Sequence, residues 1–155
     1  VDCEGAVADP AGGVFQGTSV LAMDAKGRTA VPTRFRDALA AQCAGQLTLV
    51  KSPEGCLKLY PQPIWLELRA RLLALPQEAA AWRRFLLGSA QDVELDAAGR
   101  FLIAPELRSF AKLQRDLKFM GVGSHFELWD AQVHADHEAA TMASPMPASI
   151  AELNF

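Results

Sequence analysis

The sequence predicts a β-rich mixed α/β fold in which two like units share one core, with short helices flanking the strands. Three observations predict it. Residues 24–36 read DAKGRTAVPTRFR and residues 96–108 read DAAGRFLIAPELR, at a constant offset that pairs Asp24 with Asp96, Gly27 with Gly99, Arg28 with Arg100, and Arg36 with Arg108. The same order of strand and helix signals surrounds both copies. Each copy spans only about 45 residues, near the lower limit for burying a core alone, so the two are expected to pack together about a pseudo-twofold axis.

The elements follow in order. Thr18–Met23 alternates, with Ser19, Leu21 and Met23 on one face, which reads as a strand. Asp24–Gly27 is a turn, with glycine where the backbone needs a positive φ. Arg28–Val31 is a second strand. Pro32 suits a helix start, and Phe35, Leu39 and Cys43 recur every four residues to mark its buried face. Gly45 ends that helix. Leu47–Val50 and Cys56–Tyr60 form a hairpin around Lys51-Ser52-Pro53-Glu54-Gly55.

The second unit repeats this order. Val93 and Leu95 precede the turn at Asp96–Gly99, Arg100–Ile103 follows it, and a helix is expected over Pro105–Leu113. The hairpin arms are Leu117–Met120 and His125–Trp129, around Gly121-Val122-Gly123-Ser124. A helical segment over 62–87 joins the units. Trp65, Leu68, Leu72 and Leu75 share one face, Pro76 breaks the helix, and Ala79, Trp82 and Leu86 continue the stripe. Arg69, Arg71, Arg83 and Arg84 read as its solvated face, with an interface between chains as the alternative. Thr141–Pro147 is linker-like, and Ser149 to Glu152 has capping-box spacing for a short last helix.

Composition bounds the function. The chain has 155 residues, half of them hydrophobic, and a net charge of −3, so it is not coated in positive charge, although a local basic patch is compatible. Lys26, Arg28, Arg34 and Arg36 outweigh Asp24 in the first copy, whereas Arg100 and Arg108 balance Asp96 and Glu106 in the second. The three cysteines, Cys3, Cys43 and Cys56, lack CxxC spacing and form no disulfide framework or zinc site, which suits a reducing compartment. No apolar run reaches the roughly 18–20 residues of a membrane span. Residues 1–13 carry no secretory signal pattern and read as disordered.

The DxxGR turn is the strongest local feature. Asp and Gly favour tight turns anyway, but a turn does not need an arginine after the glycine, and both copies keep one. An arginine on a rigid loop can offer its planar fork to a base edge or a phosphate. Arg36 and Arg108 are expected to brace the loop carboxylates. Arg34 is a weak candidate for phosphate contact, since Glu106 takes its place in the second copy. His134 and His137, in HADHE, lack metal-ligand spacing and read as an exposed helix face. With no Walker loop, GxGxxG, GxSxG or nucleophile–base pattern, no enzyme activity, metal or cofactor is expected.

These residues resemble the MraZ family of transcription regulators, related to the AbrB/MazE swapped-hairpin proteins. The resemblance rests on DAKGRTAVPTRFR, DAAGRFLIAPELR and the FELW of 126–129, and runs from Phe15-Gln16-Gly17 to Asn154-Phe155. It implies a double-split, swapped-hairpin β-barrel whose halves interlock, and a ring of chains. It also implies a repressor that binds direct G-rich repeats in double-stranded DNA upstream of the division and cell-wall gene cluster, including its own promoter. The DNA-contacting positions carry over to Lys26, Gly27 and Arg28, and in the second copy to Gly99 and Arg100. Ala98 stands where the first copy has Lys26, which weakens the second loop.

On this reading, residues 1–13 are an N-terminal extension ahead of a native start at Val14. A first SpoVT-AbrB-like repeat covers 18–63, a helical connector 64–91, a second repeat 92–135 and a tail 136–155. The partners are DNA and further copies of the chain, with no membrane and no small-molecule ligand, in the cytoplasm and at the nucleoid. The alternative is an antitoxin-like interaction module of the AbrB/MazE type. Its acidic partner-binding tail is poorly matched by Thr141–Phe155, where Glu152 is the only charged side chain.

Overall fold

A computed structural model describes residues 14–155. The segment 1–13, expected to be disordered, lies outside the described residues, as does Cys3.

The first unit supplies β1 (Phe15–Ala22), β2 (Arg28–Ala30), α1 (Thr33–Cys43), β3 (Gln46–Lys51) and β4 (Leu57–Pro61). The second supplies β5 (Gln91–Glu94), β6 (Arg100–Leu102), α4 (Pro105–Phe110), β7 (Asp116–Gly123) and β8 (Phe126–Asp130). β1 begins earlier than its alternation suggests because Phe15 is drawn into the core, where its ring packs 4.4 Å from Phe126 and 5.8 Å from Phe35. β7 runs on through the glycines expected to form its turn, and the reversal falls at Ser124, with the Val122 N–H donating to the His125 carbonyl. α4 is shorter than expected. It stops at Phe110, and Lys112 takes a φ of 56° as the chain turns into β7.

The units are interlocked. A six-stranded antiparallel sheet runs in the order β1-β7-β8-β4-β3-β5, and β2 pairs β6 in a separate two-stranded ribbon. The first strand of each unit therefore lies against the hairpin of the other, β1 on β7 and β5 on β3. Two registers mark the pseudo-twofold axis. Thr29 opposes Phe101 in the ribbon, and Lys58 opposes Glu127 between β4 and β8. Each pair joins equivalent positions of the two units.

One core serves both halves, as the small size of each unit requires. Phe15, Phe35 and Phe119 pack around Phe126, and Leu47, Leu59, Ile103, Leu107 and Leu117 complete the layer. Ring pairs of this kind contribute roughly 0.5–1.5 kcal/mol beyond the area they bury. Cys56 is fully buried and Cys43 half-buried.

The connector forms α2 (Gln62–Leu73), a short 3-10 turn at Gln77–Ala79, and α3 (Ala80–Ser89), packed on β3 and β4 through Trp65, Leu72, Val50 and Tyr60. The apolar stripe continues only in part: Leu86 packs with this cluster, but Leu75, just past the end of α2, is 47 % exposed, and Trp82 is 58 % exposed because the 3-10 turn after Pro76 resets the helical phase. Arg83 is not solvated either. Its Nε donates to the Leu72 carbonyl at 3.0 Å, and its terminal nitrogen donates to Leu75 and Pro76, satisfying carbonyls at the end of α2.

Two readings of the C-terminal region also change. α5 (Ala131–Ala143) includes part of the segment expected to be linker, and α6 (Ala148–Ala151) starts after Pro147 with no side-chain cap, so Ser149 does not cap it. Asp130 does cap α5, accepting from the Gln132 and Val133 N–H groups. This brings the first turns of α5 back over Trp129, whose ring meets His134 at 5.5 Å and His137 at 4.8 Å, so both histidines are half-buried. Among the described residues no helix is long and apolar enough to cross a membrane, and no group of three His, Cys, Asp or Glu is placed to hold a metal ion.

Candidate nucleic-acid interface

The two DxxGR turns join β1 to β2 and β5 to β6, each leading the chain from the six-stranded sheet into the ribbon. In the first, Asp24 organises the loop by itself. Its Oδ1 accepts from the Lys26 and Arg28 N–H groups, both at 2.9 Å, and its Oδ2 accepts from Arg28 Nε at 2.8 Å. Asp96 repeats this with the Ala98 and Arg100 N–H groups and Arg100 Nε. The Arg28 N–H, then the Arg28 side chain and the Lys26 N–H, hold the Asp24 carboxyl below the usual carboxylate range; Arg100 and Ala98 do the same for Asp96. Both ion pairs are exposed, so their value lies in geometry more than in stability.

Gly27 and Gly99 are buried, with φ of 89° and 76°. The N–H of each closes its own turn, onto Asp24 and Asp96. The carbonyl of each accepts from the other unit, Gly27 from Ile103 and Gly99 from Val31, both at 2.9 Å. The backbone of each glycine is thus spent within the fold. What the loops present outward is side chains.

Contrary to the expectation from sequence, among the described residues Arg36 and Arg108 do not reach the loop carboxylates. Arg108 of the second unit covers Gly27, and Arg36 of the first covers Gly99. Arg36 Nε donates to the Val31 carbonyl at 2.9 Å. The strand exchange explains the change, since it carries each loop over the other unit's helix and away from its own.

The ribbon positions the arginines. In antiparallel register Arg28 opposes Leu102 and Ala30 opposes Arg100. Residues of a directly opposed pair, and those two further along, share one face. Arg28, Ala30, Arg100 and Leu102 therefore face outward, while Thr29 and Phe101 are buried beneath. The Cα atoms of the two arginines stand about 8 Å apart, little more than two base-pair steps of about 3.4 Å. Of each guanidinium, the aspartate engages only Nε. Among the described residues neither terminal nitrogen of Arg28 or Arg100 has a hydrogen-bond partner, so both forks are held in direction and left free at the tip.

Lys26 is exposed beside Arg28, and Ala98 takes its place on the second loop. Arg34 is not gathered with these residues. Its terminal nitrogen donates to Ser19 Oγ at 3.0 Å and lies over Gly17, further back along β1. Two neighbours were missed in the sequence. Leu102 shares the outer face at half exposure. Arg115 lines a concavity of about 350 Å³ with Asp24, Arg28 and Arg100. Neither lies in a DxxGR motif, and strand pairing alone brings them to the loops.

Comparison with known proteins gives a consistent picture. The family model described as "MraZ protein, putative antitoxin-like" matches residues 14–88 and again 85–149. Proteins named "Transcriptional regulator MraZ" are similar over 142 residues, 92 % of this chain and all of each relative. Identity is 53 % for that of Ralstonia nicotianae, 52 % for Ralstonia pickettii and 51 % for Burkholderia mallei (strain SAVP1).

Proposed function

This chain belongs to the MraZ family, and from that premise we propose that it is a sequence-specific DNA-binding transcriptional regulator. One observation carries the reading: Arg28 and Arg100 project from one face of a two-stranded ribbon, each aimed by an aspartate and free at its fork. The major groove, about 12 Å wide, admits a two-stranded ribbon, and arginine pairing with guanine O6 and N7 is the commonest specific base contact, worth about 1–3 kcal/mol of discrimination. Lys26 adds a phosphate contact beside Arg28. Gly27 and Gly99 contribute by shaping the turns.

The target is a set of direct G-rich repeats upstream of the division and cell-wall gene cluster, with repression of that promoter as the outcome. The interlocked sheets are read as a swapped-hairpin, double-split barrel of the AbrB type. A ring of copies would present one ribbon per chain, and several modest contacts acting together offset the net negative charge. The protein acts at the nucleoid in the cytoplasm and has no catalytic role.

A mobility-shift titration on the DNA upstream of its own gene tests this, with Arg28→Ala and a scrambled G-box probe alongside. Tight, salt-sensitive binding that both controls lose is the expected result. Equal binding to both probes would reduce the function to non-specific association.

The antitoxin-like description of the family favours one second reading, a module that binds a protein partner. Recovery of one stoichiometric protein partner, with no binding to any promoter probe, would select it.

A further inference from the structure

We propose that Arg115 is a further phosphate-contacting residue of the first loop, supplied by the second unit, and that it makes the two-loop face electrically one-sided. The proposal rests on the DNA-binding reading above. Arg115 immediately precedes β7, and its carbonyl accepts from the Met23 N–H at 2.8 Å, which fixes it beside the residue that enters the first DxxGR turn. Its side chain lines the concavity shared with Asp24, Arg28 and Arg100, and a second one with Ala25 and Gln114. It is exposed, and among the described residues it has no carboxylate within ion-pair distance and no side-chain hydrogen bond. A cation left unpaired next to a candidate DNA-reading arginine is placed for a phosphate.

The other loop lacks this residue. The Leu95 N–H donates to the Gly45 carbonyl at 3.0 Å, in the position where Met23 meets Arg115. Arg108 over Gly27 and Arg36 over Gly99 are matched between the loops, but the first loop adds Lys26 and Arg115 beside Arg28, whereas the second has Ala98 and Gly45 in the equivalent places beside Arg100. A direct repeat has a direction, and a twofold-symmetric reader would not sense it. The uneven charge gives the ribbon one strong and one weak side, and so one preferred orientation on each box.

Phosphate contacts bind all sequences and carry the salt dependence. The experiment is a fluorescence-anisotropy titration over a salt series with the promoter duplex and a scrambled duplex. It compares wild type, Arg115→Ala, Arg115→Lys and, as a remote exposed cation, Arg69→Ala. Arg115→Ala should lose affinity roughly three- to tenfold on both duplexes, with a slope of log K against log salt shallower by about 0.9 per engaged chain. Arg115→Lys should restore the slope, Arg69→Ala should match wild type, and thermal melts should coincide. A wild-type slope in Arg115→Ala, a loss confined to the promoter duplex, or no rescue by lysine would overturn the proposal alone. Failure of wild type to bind either duplex would overturn the DNA-binding reading and this proposal with it.

Discussion

Arg108 of the second unit lies so close to Gly27 of the first that a Cβ on the glycine would stand 2.6 Å from its Cζ. The Ile103 N–H donates to the Gly27 carbonyl from the same unit. The candidate DNA-reading loop is therefore held in shape from the opposite half of the chain.

Gly27→Ala should be destabilising chiefly through its φ of 89°, with a smaller cost from displacing the flexible end of Arg108. Holding a residue other than glycine at such an angle costs about 1–3 kcal/mol. Adding Arg108→Ala should relieve the smaller cost and leave the backbone one. A double-mutant cycle by urea unfolding checks this: the double variant should be more stable than the two single losses predict, and strict additivity would show that the two residues do not meet.

Asp24→Ala sets two effects against each other. It removes a negative charge beside DNA, which favours every sequence, and it removes the acceptor that orders Lys26 and aims Arg28. Affinity for a scrambled duplex should hold or rise, while affinity for the promoter duplex falls. Parallel gains on both duplexes would mean that Asp24 does not orient the arginine. Because the folded carboxyl sits below its ordinary range, this loop order persists above that range and is lost only as the pH falls below it.

Phe101→Ala tests the support beneath the ribbon. Phe101 is buried opposite Thr29, on the reverse of the face that carries both arginines. The substitution should cost about 3–5 kcal/mol in unfolding free energy. It should also weaken promoter binding at temperatures where the variant is still folded. Stability loss with binding unchanged would separate the core from the site.

His125 gives a pH signature. Its ring stacks on Tyr60 with centroids 4.8 Å apart, and burial, reinforced by Lys58, pushes its pKa down to about 4. An imidazole in the unfolded chain titrates near about 6.5. Between those values the unfolded chain binds a proton that the folded one refuses, so stability falls as the pH drops through that window. His125→Phe keeps the stack and should flatten this fall in urea midpoints. Equal slopes for the two proteins would refute the assignment.

Local features were the most legible in the sequence. The DxxGR turns, the helix behind Pro32 and the alternating hairpin arms each depend on residues within a few positions, and each forms near where its spacing predicts, although β7 runs on through the glycines expected to turn the second hairpin. Partnership was not legible. Alternation tells which face of β1 is buried, not that β7 is its neighbour. For that reason Arg36 and Arg108 read as braces for their own loops, and Arg115 and Leu102 were passed over. Trp82 illustrates a second limit, because counting by fours across Pro76 assumes a helical phase that the 3-10 turn does not keep.

The strand exchange also governs the order in which the molecule can be completed. β1 leaves the ribosome about 100 residues ahead of β7, the strand it pairs with. At about 5–20 residues per second, roughly 5–20 s separate the two. Through that interval β1 has an unpaired edge, and the β7 of a neighbouring nascent chain fits it as well as its own. Crowded translation of one message should therefore favour intertwined dimers, and native mass spectrometry of protein made at high and at low expression would show equal dimer fractions if it does not.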